Sequence, residues 1–416
     1  MHMTIAYPNT NGSVTSITRR TFLARSAVVS VAALGAPAVL GADSSPGEFK
    51  RKIKLGVVGG GGRGCWIANL FKRHGGYEMH AMADYFPAVA DRCGEGLGVD
   101  KARRFSGLNG YRKLIDSGVE AIALETPPYC FPEHARTAVD AGLHVYMAKP
   151  VAVDVPGCQE IAAAAKKAGA KQQVFLVDYQ LPTDPHNLEV VKRINAGEVG
   201  KVMALNTHYF ASQFSDPPRT ANLADRFQSL IWCNDVALGG GYHVNACIHG
   251  VDAGLWVANQ RPVACMGLSR LARPEPHGDS HDIFELIFEF PDGLVMSHRG
   301  KHINDLLQFD VVCQVLGQTG YAQVCYGGTS ILKGPESGYT GEPQNVYEAG
   351  AVRNIAKFHQ CITEGNFAND TVRRAVDGAL TTILGREAAL RRTRLTWDEL
   401  LKENKRLSVD LSGLQA

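Results

Sequence analysis

A glycine-rich loop is the first feature of this 416-residue chain whose residue types and spacing suggest chemistry. The spacing of Gly59, Gly61 and Gly64 follows the pattern G-x-G-x-x-G, directly after an apolar run. In such a loop the first glycine allows a tight turn, the second admits a pyrophosphate, and the third lets the next helix approach the strand. Because unpaired N–H groups at a helix N-terminus favour anions, we expect Gly59, Gly61, Gly62, Arg63 and Gly64 to bind the phosphates of a dinucleotide.

An acidic residue follows the second apolar segment, 79–83, where a dinucleotide site needs one. Asp84 lies 25 positions after Gly59, about where an acid accepts hydrogen bonds from an adenosine ribose. A carboxylate at that place would repel a 2′-phosphate, so the residue favours NAD over NADP. The alternative is that Asp84 caps a helix that begins near Pro87.

The elements that must position these residues alternate between strand and helix in the first half of the chain. Such β-α repetition predicts a parallel, doubly wound sheet, an α/β fold. After Tyr179, sequential strands with few helices between them indicate a mostly antiparallel open sheet and an α+β region. Strands are predicted at 53–58, 79–83, 121–124, 144–147, 174–177, 202–209, 263–271, 283–290, 294–298, 309–316 and 321–325, and helices at 65–73, 132–141, 154–168, 185–196, 351–363 and 371–392.

Composition excludes several classes of function. The formal net charge is +2, and the chain has no basic block that could follow a phosphate backbone, so nucleic acid is not an expected partner. The ten cysteines form no C-x-x-C pair, which argues against a structural zinc site, and no metal is expected. In an exported chain these cysteines could form disulfides, but buried thiols are the preferred prediction.

The N-terminal segment has the pattern of a targeting signal. Arg19 and Arg20 precede Phe22, Leu23 and a mostly apolar run at 26–40, which ends near a small-residue cleavage site at Ala42. Paired arginines before such a run are typical of twin-arginine export signals. Because the run is broken by glycine and proline and is shorter than the roughly 20 residues needed to span a bilayer, we expect a signal peptide at 1–42, an exported or periplasmic protein and no membrane span.

Four stretches follow one another along the chain: the loop 59–64, Thr126-Pro127-Pro128 with His134, Ala148-Lys149-Pro150, and the segment 239–252. Together they resemble the Gfo/Idh/MocA oxidoreductases, and the resemblance extends to the tail at 395–400. The resemblance implies a Rossmann NAD-binding domain at 50–178 and a substrate and oligomerisation domain at 179–416, whose final helices pack back toward the first domain. It also implies that Thr126, Pro127, His134 and Lys149 contact the cofactor.

Lys149 and His249 match the residues that this family uses in the chemical step. Asn245 and His249 are four positions apart, so on a helix they would share one face and could converge on one substrate hydroxyl. The unperturbed pKa of histidine suits removal of the hydroxyl proton. Lys149 could stabilise the developing negative charge on the oxygen, or act as the base if its pKa is lowered.

Two positions depart from the family pattern. The glutamate that precedes the lysine is Ala148 here, and the acid that often precedes the histidine is Asn245. Asn245 cannot accept a proton, so we expect it only to orient the substrate or the histidine. The alternatives are a buried core histidine at position 249 and a surface lysine at position 149.

Aromatic and imidazole side chains are candidates for contacts with a sugar, through stacking or hydrogen bonds. Within the same segment as His249, Asp252 could orient the imidazole ring or bond within its own helix. The candidates for sugar contacts are Tyr179, His208, Trp232 and Tyr242.

These features predict an exported NAD-dependent oxidoreductase that acts on a sugar or sugar-derived substrate and forms a dimer or tetramer through its C-terminal sheet. Export of a folded protein would let a tightly bound cofactor load beforehand, and that cofactor should return to its starting redox state in each cycle. One alternative is an NAD-dependent glycosidase that works by transient oxidation, elimination, hydration and re-reduction. The other is a non-catalytic sugar-binding protein.

Overall fold

The computed structural model describes residues 49–416, so the predicted signal peptide at 1–42 lies outside the described residues. Six strands form a parallel sheet in the first half of this region. They are β1 (Ile53–Val58), β2 (Tyr77–Asp84), β3 (Arg104–Ser106), β4 (Ala121–Leu124), β5 (His144–Ala148) and β6 (Phe175–Asp178). Their spatial order is β3-β2-β1-β4-β5-β6, so the winding direction reverses between β1 and β4. Ligands of open α/β sheets bind outside the carboxyl ends of strands at such a reversal.

Helices cover both faces of this sheet. Alternate residues of β4 enter two separate cores, Ala121 and Ala123 one, Ile122 and Leu124 the other, because successive side chains of a strand point to opposite faces. The helices connecting these strands are α1 (Gly62–His74), α2 (Pro87–Leu97), α3 (Gly110–Ile115), α4 (Phe131–Asp140) and α5 (Val155–Ala170). Helices α1 and α2 pack on one face, and α3, α4 and α5 pack on the other.

A nine-stranded sheet follows, and it confirms the predicted mostly antiparallel architecture. The pairs between its strands are antiparallel, except for β7 and β10, which run parallel. The strands are β7 (Val202–Ala211), β8 (Ala264–Arg270), β9 (Ile283–Glu289), β10 (Val295–His302), β11 (Asp310–Gly317), β12 (Tyr321–Cys325), β13 (Ser330–Lys333), β14 (Gly338–Gly341) and β15 (Leu395–Thr396), in the spatial order β14-β13-β12-β11-β7-β10-β9-β8-β15.

Helices of the second half cover one face of the nine-stranded sheet and extend to the first sheet. The tyrosine hydroxyl of Tyr77, on β2, donates to the carbonyl of Ile355 at 2.8 Å. The remaining helices are α6 (Pro185–Asn195), α7 (Val236–Gly239), α8 (Ile248–Ala258), α9 (Val346–Glu364), α10 (Asp370–Arg391) and α11 (Trp397–Glu403). Helix α9 packs on α1, while α10 contacts α5, β6, α8 and β8. Neither half is therefore isolated from the other.

The ten cysteines are unpaired, and eight of them are buried. This agrees with the prediction of buried thiols. None of the helices within residues 49–416 has the length and apolar character that a membrane crossing would require.

Candidate active site

A cavity of about 640 Å³ lies at the carboxyl ends of β1, β2 and β4. Most of the residues predicted to bind a cofactor line it, together with Trp232 from the second half of the chain. These cofactor residues are Gly59, Gly61, Gly62, Arg63, Gly64, Asp84, Thr126, Pro127 and His134. The cavity lies at the reversal of strand order, the position at which this class of sheet binds nucleotides.

The glycines of the loop have the separate roles that their spacing predicts. Gly59 adopts a φ of +98°, which favours glycine. A Cβ on Gly64 would overlap the carbonyl oxygen of Gly59, so the third glycine is needed for α1 to approach the strand. By contrast, no atom of residues 49–416, apart from the adjoining backbone, lies within 4 Å of where a Cβ on Gly61 or Gly62 would stand. This open space at the start of α1 fits a pyrophosphate.

Asp84 is held at the end of β2 with its carboxylate on the cavity wall. One oxygen accepts from the backbone N–H of Gly60 at 2.7 Å and the other from that of Phe86 at 2.9 Å. Phe86, not Asp84, is the N-cap residue of α2, so the capping alternative is wrong. Burial raises the pKa of Asp84, while these two hydrogen bonds oppose the shift. The geometry leaves the carboxylate available to a ribose.

The side chain of Arg63 is occupied by acids and not free to bind phosphate. Its guanidinium lies 2.7 Å from Asp178 and 3.2 Å from Glu125. It also packs over the rings of Trp66 and Tyr347, at 5.5 and 5.1 Å from their centroids. If Arg63 contacts a phosphate as predicted, it must therefore do so through its backbone and not through its side chain.

Thr126 and His134 lie together on the cavity wall, with 3.4 Å between the threonine hydroxyl and Nδ1. The imidazole packs against the ring of Tyr111, at 4.1 Å between centroids. Burial lowers the pKa of His134 to about 4. The side chain is thus neutral near pH 7 and offers the cofactor a neutral polar edge.

Lys149 is half-buried against Asn245 and is not a surface lysine. Its Nζ donates to the backbone carbonyl of Asn245 at 2.8 Å. Burial, together with the nearby charge of Arg63, lowers the pKa of Lys149 to about 8. The ammonium therefore titrates close to neutral pH, as groups in active sites often do.

His249 belongs to a chain of hydrogen bonds whose direction fixes its tautomer. The carboxylate of Asp178 can only accept, so Nε2 of Gln180 donates to it at 2.7 Å and Oε1 of Gln180 faces Tyr326. The hydroxyl of Tyr326 donates to that oxygen at 3.2 Å and accepts the Nδ1 proton of His249 at 2.7 Å. A neutral imidazole carries one N–H, so Nε2 keeps a lone pair.

Burial is also the main reason that His249 is neutral. Desolvation and the nearby charges of Lys149 and Arg63 lower the pKa of its imidazole well below the ordinary value. Tyr209 stacks on the ring at 5.9 Å between centroids. A neutral imidazole with a free lone pair can accept a proton, so its geometry argues against the alternative of an inert core histidine.

Asn245 lies on a π-helical turn, His243–Cys247, that runs directly into α8. Its Oδ1 accepts from the thiol of Cys233 at 3.2 Å. Its Nδ2 has no partner within residues 49–416, although the atom is buried. The amide can therefore donate a hydrogen bond to a substrate, which agrees with an orienting role. Single π-turns are rare and occur frequently at functional sites.

Two of the predicted sugar contacts are wrong. His208 belongs to β7, where the next residue, Tyr209, stacks on His249, so His208 points to the opposite face and lies 2.8 Å from Asp310. Tyr242 is fully buried, and its hydroxyl lies between the carbonyl oxygens of Lys301 and Tyr209, at 2.6 and 3.0 Å. It joins the π-turn to the sheet.

Two other candidates for sugar contacts do lie near the chemical groups. The ring of Tyr179 is 6.5 Å from that of His249, and its buried hydroxyl has no partner among the residues described. Trp232 lines the cofactor cavity. Asp252 does neither of the things predicted for it, because Arg374 of α10 binds its carboxylate at 2.5 and 2.6 Å.

Sequence reasoning missed several functional residues. Glu125 carried a signal, since a charged residue directly after the apolar run of β4 is unusual for a buried strand end. Asp178 carried the same signal, as an acid directly after the apolar run 174–177, whereas Tyr326 carried none, because the sequence around it shows nothing of its distant partner. Their roles depend on contacts with residues more than 70 positions away.

One buried cluster has donor atoms that suit a metal. His243, Cys247 and His298 place their donor atoms within 4.8 Å of one another. A closed zinc site takes four protein ligands, and this group offers three among the residues described. We therefore assign no metal to it.

Comparison with known proteins identifies the family. Residues 53–176 match the model of an oxidoreductase family with an NAD-binding Rossmann fold, and residues 187–323 match the GFO/IDH/MocA C-terminal domain. Together these two regions cover more than half of the chain. The match confirms the predicted fold class and NAD as the cofactor.

Similar proteins include an inositol 2-dehydrogenase of Klebsiella pneumoniae (strain 342), 23% identical over 65% of this chain and 74% of that protein. The scyllo-inositol 2-dehydrogenase (NAD(+)) of Bacillus subtilis (strain 168) is 21% identical over 76% of this chain and 88% of its own length. The fold is similar to that of an aldose-aldose oxidoreductase from Caulobacter crescentus, with a TM-score of 0.67, 22% identity, and coverage of 83% of this chain and 100% of that one. The chain is therefore a member of the Gfo/Idh/MocA family of NAD-dependent oxidoreductases.

Proposed function

We propose that this protein oxidises a secondary hydroxyl of a sugar or cyclic polyol to a carbonyl, with NAD as the redox partner. The observation that carries the proposal is the placement of Lys149 against Asn245 and close enough to His249 for its charge to lower the pKa of the imidazole, with the lone pair of His249 Nε2 left free by the hydrogen bond at Nδ1. This arrangement argues against a merely sugar-binding protein, which would need no buried base.

His249, Lys149 and Asn245 each have a separate role in the proposed reaction. Bound NAD supplies the hydride acceptor. Nε2 of His249 takes the hydroxyl proton of the substrate, and the ammonium of Lys149 donates a hydrogen bond to the same oxygen and stabilises its growing negative charge. Nδ2 of Asn245 donates to a neighbouring hydroxyl and so orients the ring. Burial of Asn245 and His249 keeps water away from the exchange.

The class of substrate is supported by the relatives and by the charge of the site. The relatives are named for inositols and for aldoses, which are neutral polyhydroxy compounds. The charged groups near His249 are largely paired with one another, since Arg63 binds Asp178 and Arg374 binds Asp252. Hydrogen-bond donors and aromatic faces remain for the ligand, which suits a neutral polyol.

We further propose that the protein is exported with NAD tightly bound. The paired Arg19 and Arg20 before an apolar run support a twin-arginine signal. Since an exported enzyme would have no ready supply of free nucleotide, its cofactor should be reoxidised by a second substrate within each cycle. Isotopically labelled NAD added during turnover should then enter the protein far more slowly than product forms; incorporation at the rate of turnover would contradict this.

Assembly through the nine-stranded sheet is also proposed. Its outer face carries a groove of about 860 Å³ that crosses five strands. Leu268 and Ile287 lie in this groove and are 60% and 43% exposed. Apolar residues gathered on an open sheet face favour pairing with a second copy of the same chain.

Substitution of the two chemical groups tests the proposed reaction. Lys149→Ala and His249→Ala should each lower turnover on the best of a panel of inositols and aldoses by about 10²- to 10⁴-fold, because each removes a proton-transfer or charge-stabilising group. Bound NAD should remain, and Lys201→Ala, at an exposed lysine, should leave turnover unchanged. A folded, NAD-containing variant with near-normal turnover would exclude the role, and net hydrolysis of a glycoside would indicate the glycosidase instead.

A further inference from the structure

Glu125 is a buried acid whose oxygens lack donors. Its side chain is 1% exposed, yet neither carboxylate oxygen has a hydrogen-bond partner among the residues described. Nε of Arg63 lies 3.2 Å from Oε2 but not at a hydrogen-bonding angle. Leaving a buried charged acceptor without donors is costly, so such a group normally has a partner. Because Glu125 lines the cofactor cavity, a ligand can supply the missing donors.

The position of Glu125 along the sheet indicates which part of the ligand supplies these donors. Across the carboxyl edge of the sheet, β2 ends in Asp84, β1 runs into the glycine loop, Glu125 directly follows β4, and Lys149 follows β5. The phosphate-binding loop is thus flanked by one carboxylate on each side. A Cβ on Gly64 would lie 3.1 Å from the Cβ of Glu125, so this acid stands directly against the loop.

We propose that Glu125 binds the hydroxyls of the ribose that carries the nicotinamide, as Asp84 is expected to bind the adenosine ribose on the other side of the loop. A ribose offers two neighbouring O–H donors, and a carboxylate offers two acceptor oxygens, so the two groups match in number and polarity. Hydrogen bonds to an ionised acceptor are the strong ones in proteins. This inference rests on the proposed use of NAD at this cavity.

Arg63 and Lys149 complete the surroundings of the acid. The guanidinium of Arg63 lies between Glu125 and Asp178, so it holds the carboxylate in place by charge, while both oxygens still lack a hydrogen-bond partner among the residues described. Burial raises the pKa of Glu125 to about 7, and the charges of Arg63 and Lys149 oppose that shift. Donors from a ribose would stabilise the ionised form further, so binding should release a proton near neutral pH.

The test compares three ligands that share one end and differ at the other. ADP contains the adenosine ribose alone, whereas ADP-ribose and NAD also contain the second ribose. With protein freed of co-purified nucleotide, Glu125→Ala should weaken ADP-ribose and NAD by about 10- to 100-fold in calorimetric titration, as expected for losing two charge-assisted hydrogen bonds. Its affinity for ADP should stay within about threefold of the parent.

Asp84→Ala is the matched control, because it should weaken all three ligands to a similar degree. Glu125→Gln, which conserves shape, provides a second variant if the alanine variant does not fold, and it should show a smaller loss with the same selectivity. Equal weakening of ADP and ADP-ribose, or no weakening of ADP-ribose, would overturn the assignment. Failure of the parent protein to bind any of the three would instead reject the proposed cofactor site.

Discussion

The proposed role of His249 as a base requires a lone pair on Nε2, and that condition is set by hydrogen bonds at the other ring nitrogen, Nδ1. Asp178 orients the amide of Gln180, the amide orients the hydroxyl of Tyr326, and the hydroxyl accepts the Nδ1 proton. Only one assignment of donors and acceptors satisfies all of these hydrogen bonds, so their direction is fixed. These three are therefore positioning residues.

Replacing Tyr326 with phenylalanine should disturb this order. Without an acceptor for the Nδ1 proton, His249 would populate both tautomers, and we expect kcat to fall by about 10- to 100-fold, part of the gain that a general base provides. The ¹⁵N chemical shifts of the imidazole should report the mixed tautomer. Tyr321→Phe, at a half-buried tyrosine of β12, is the control. A kcat and tautomer equal to those of the parent would remove the relay from the mechanism.

The titration of Lys149 should appear in the pH profile. Burial lowers its pKa from 10.5 to about 8, so the cation is present below about pH 8 and lost above it. Because the cation stabilises the developing alkoxide, kcat/KM for oxidation should decline as the pH rises through about 8. Lys149→Arg, whose side chain stays charged, should lose this descending limb even if its overall rate is lower. A rate that instead climbs through pH 8 would make Lys149 the base.

At the scale of elements, the join between β1 and α1 depends on two glycines for different reasons. Gly64 lets the helix meet the strand, whereas Gly61 leaves room for the ligand. Gly64→Ala should lower the free energy of unfolding by about 1–3 kcal/mol, since its Cβ would overlap the carbonyl of Gly59.

Gly61→Ala should behave in the opposite way. Its φ is −65°, and among the residues described none has an atom within 4 Å of its Cβ position, so stability should change by less than about 1 kcal/mol. NAD affinity should fall at least about tenfold, because the methyl group would occupy the space of the pyrophosphate. Denaturant unfolding and NAD titration of both variants distinguish the two roles, and a Gly61→Ala variant with unchanged affinity would move the pyrophosphate elsewhere.

Several elements matched their predicted positions closely. The predicted strands at 53–58 and 121–124 coincide with β1 and β4, and the helix predicted at 154–168 corresponds to α5 (Val155–Ala170). Strands β3, β13, β14 and β15 were not predicted, because they have only two to four residues and, unlike β4, none of them is a continuous apolar run. The π-turn at His243–Cys247 was not predicted either, since an extra residue in a helical turn leaves no mark in the spacing.

At the scale of the whole molecule, the exposed sheet face should control assembly. Leu268→Glu places a charge in the groove on this face, and it should shift the protein toward monomers in light-scattering chromatography. Leu306→Glu is the matched control, because Leu306 is 99% exposed and does not line the groove. An unchanged molar mass for Leu268→Glu, or equal dissociation of both variants, would place the interface elsewhere.

The resemblance to the family singled out the trio Lys149, Asn245 and His249. The sequence by itself determined the alternation of strands and helices, the glycine loop and the placement of Asp84 after the second apolar segment. Each of these follows from local information: apolar runs of a given length, glycines at fixed spacing, or residues placed next to a strand end. Such patterns can be recognised in the sequence because they depend on contacts between residues that are close together along the chain.

Only the tertiary structure decided which side chains meet across the chain. His208 points away from the site and Tyr209 points toward it. The sequence could not show which of the two faces the site, because either face of a strand can be the covered one until a helix packs on it. The tertiary structure also joined His249 to Tyr326, 77 positions apart, and brought Glu125 against the loop. Contacts of this kind depend on how the two sheets and their helices pack, and no spacing along the chain records that packing.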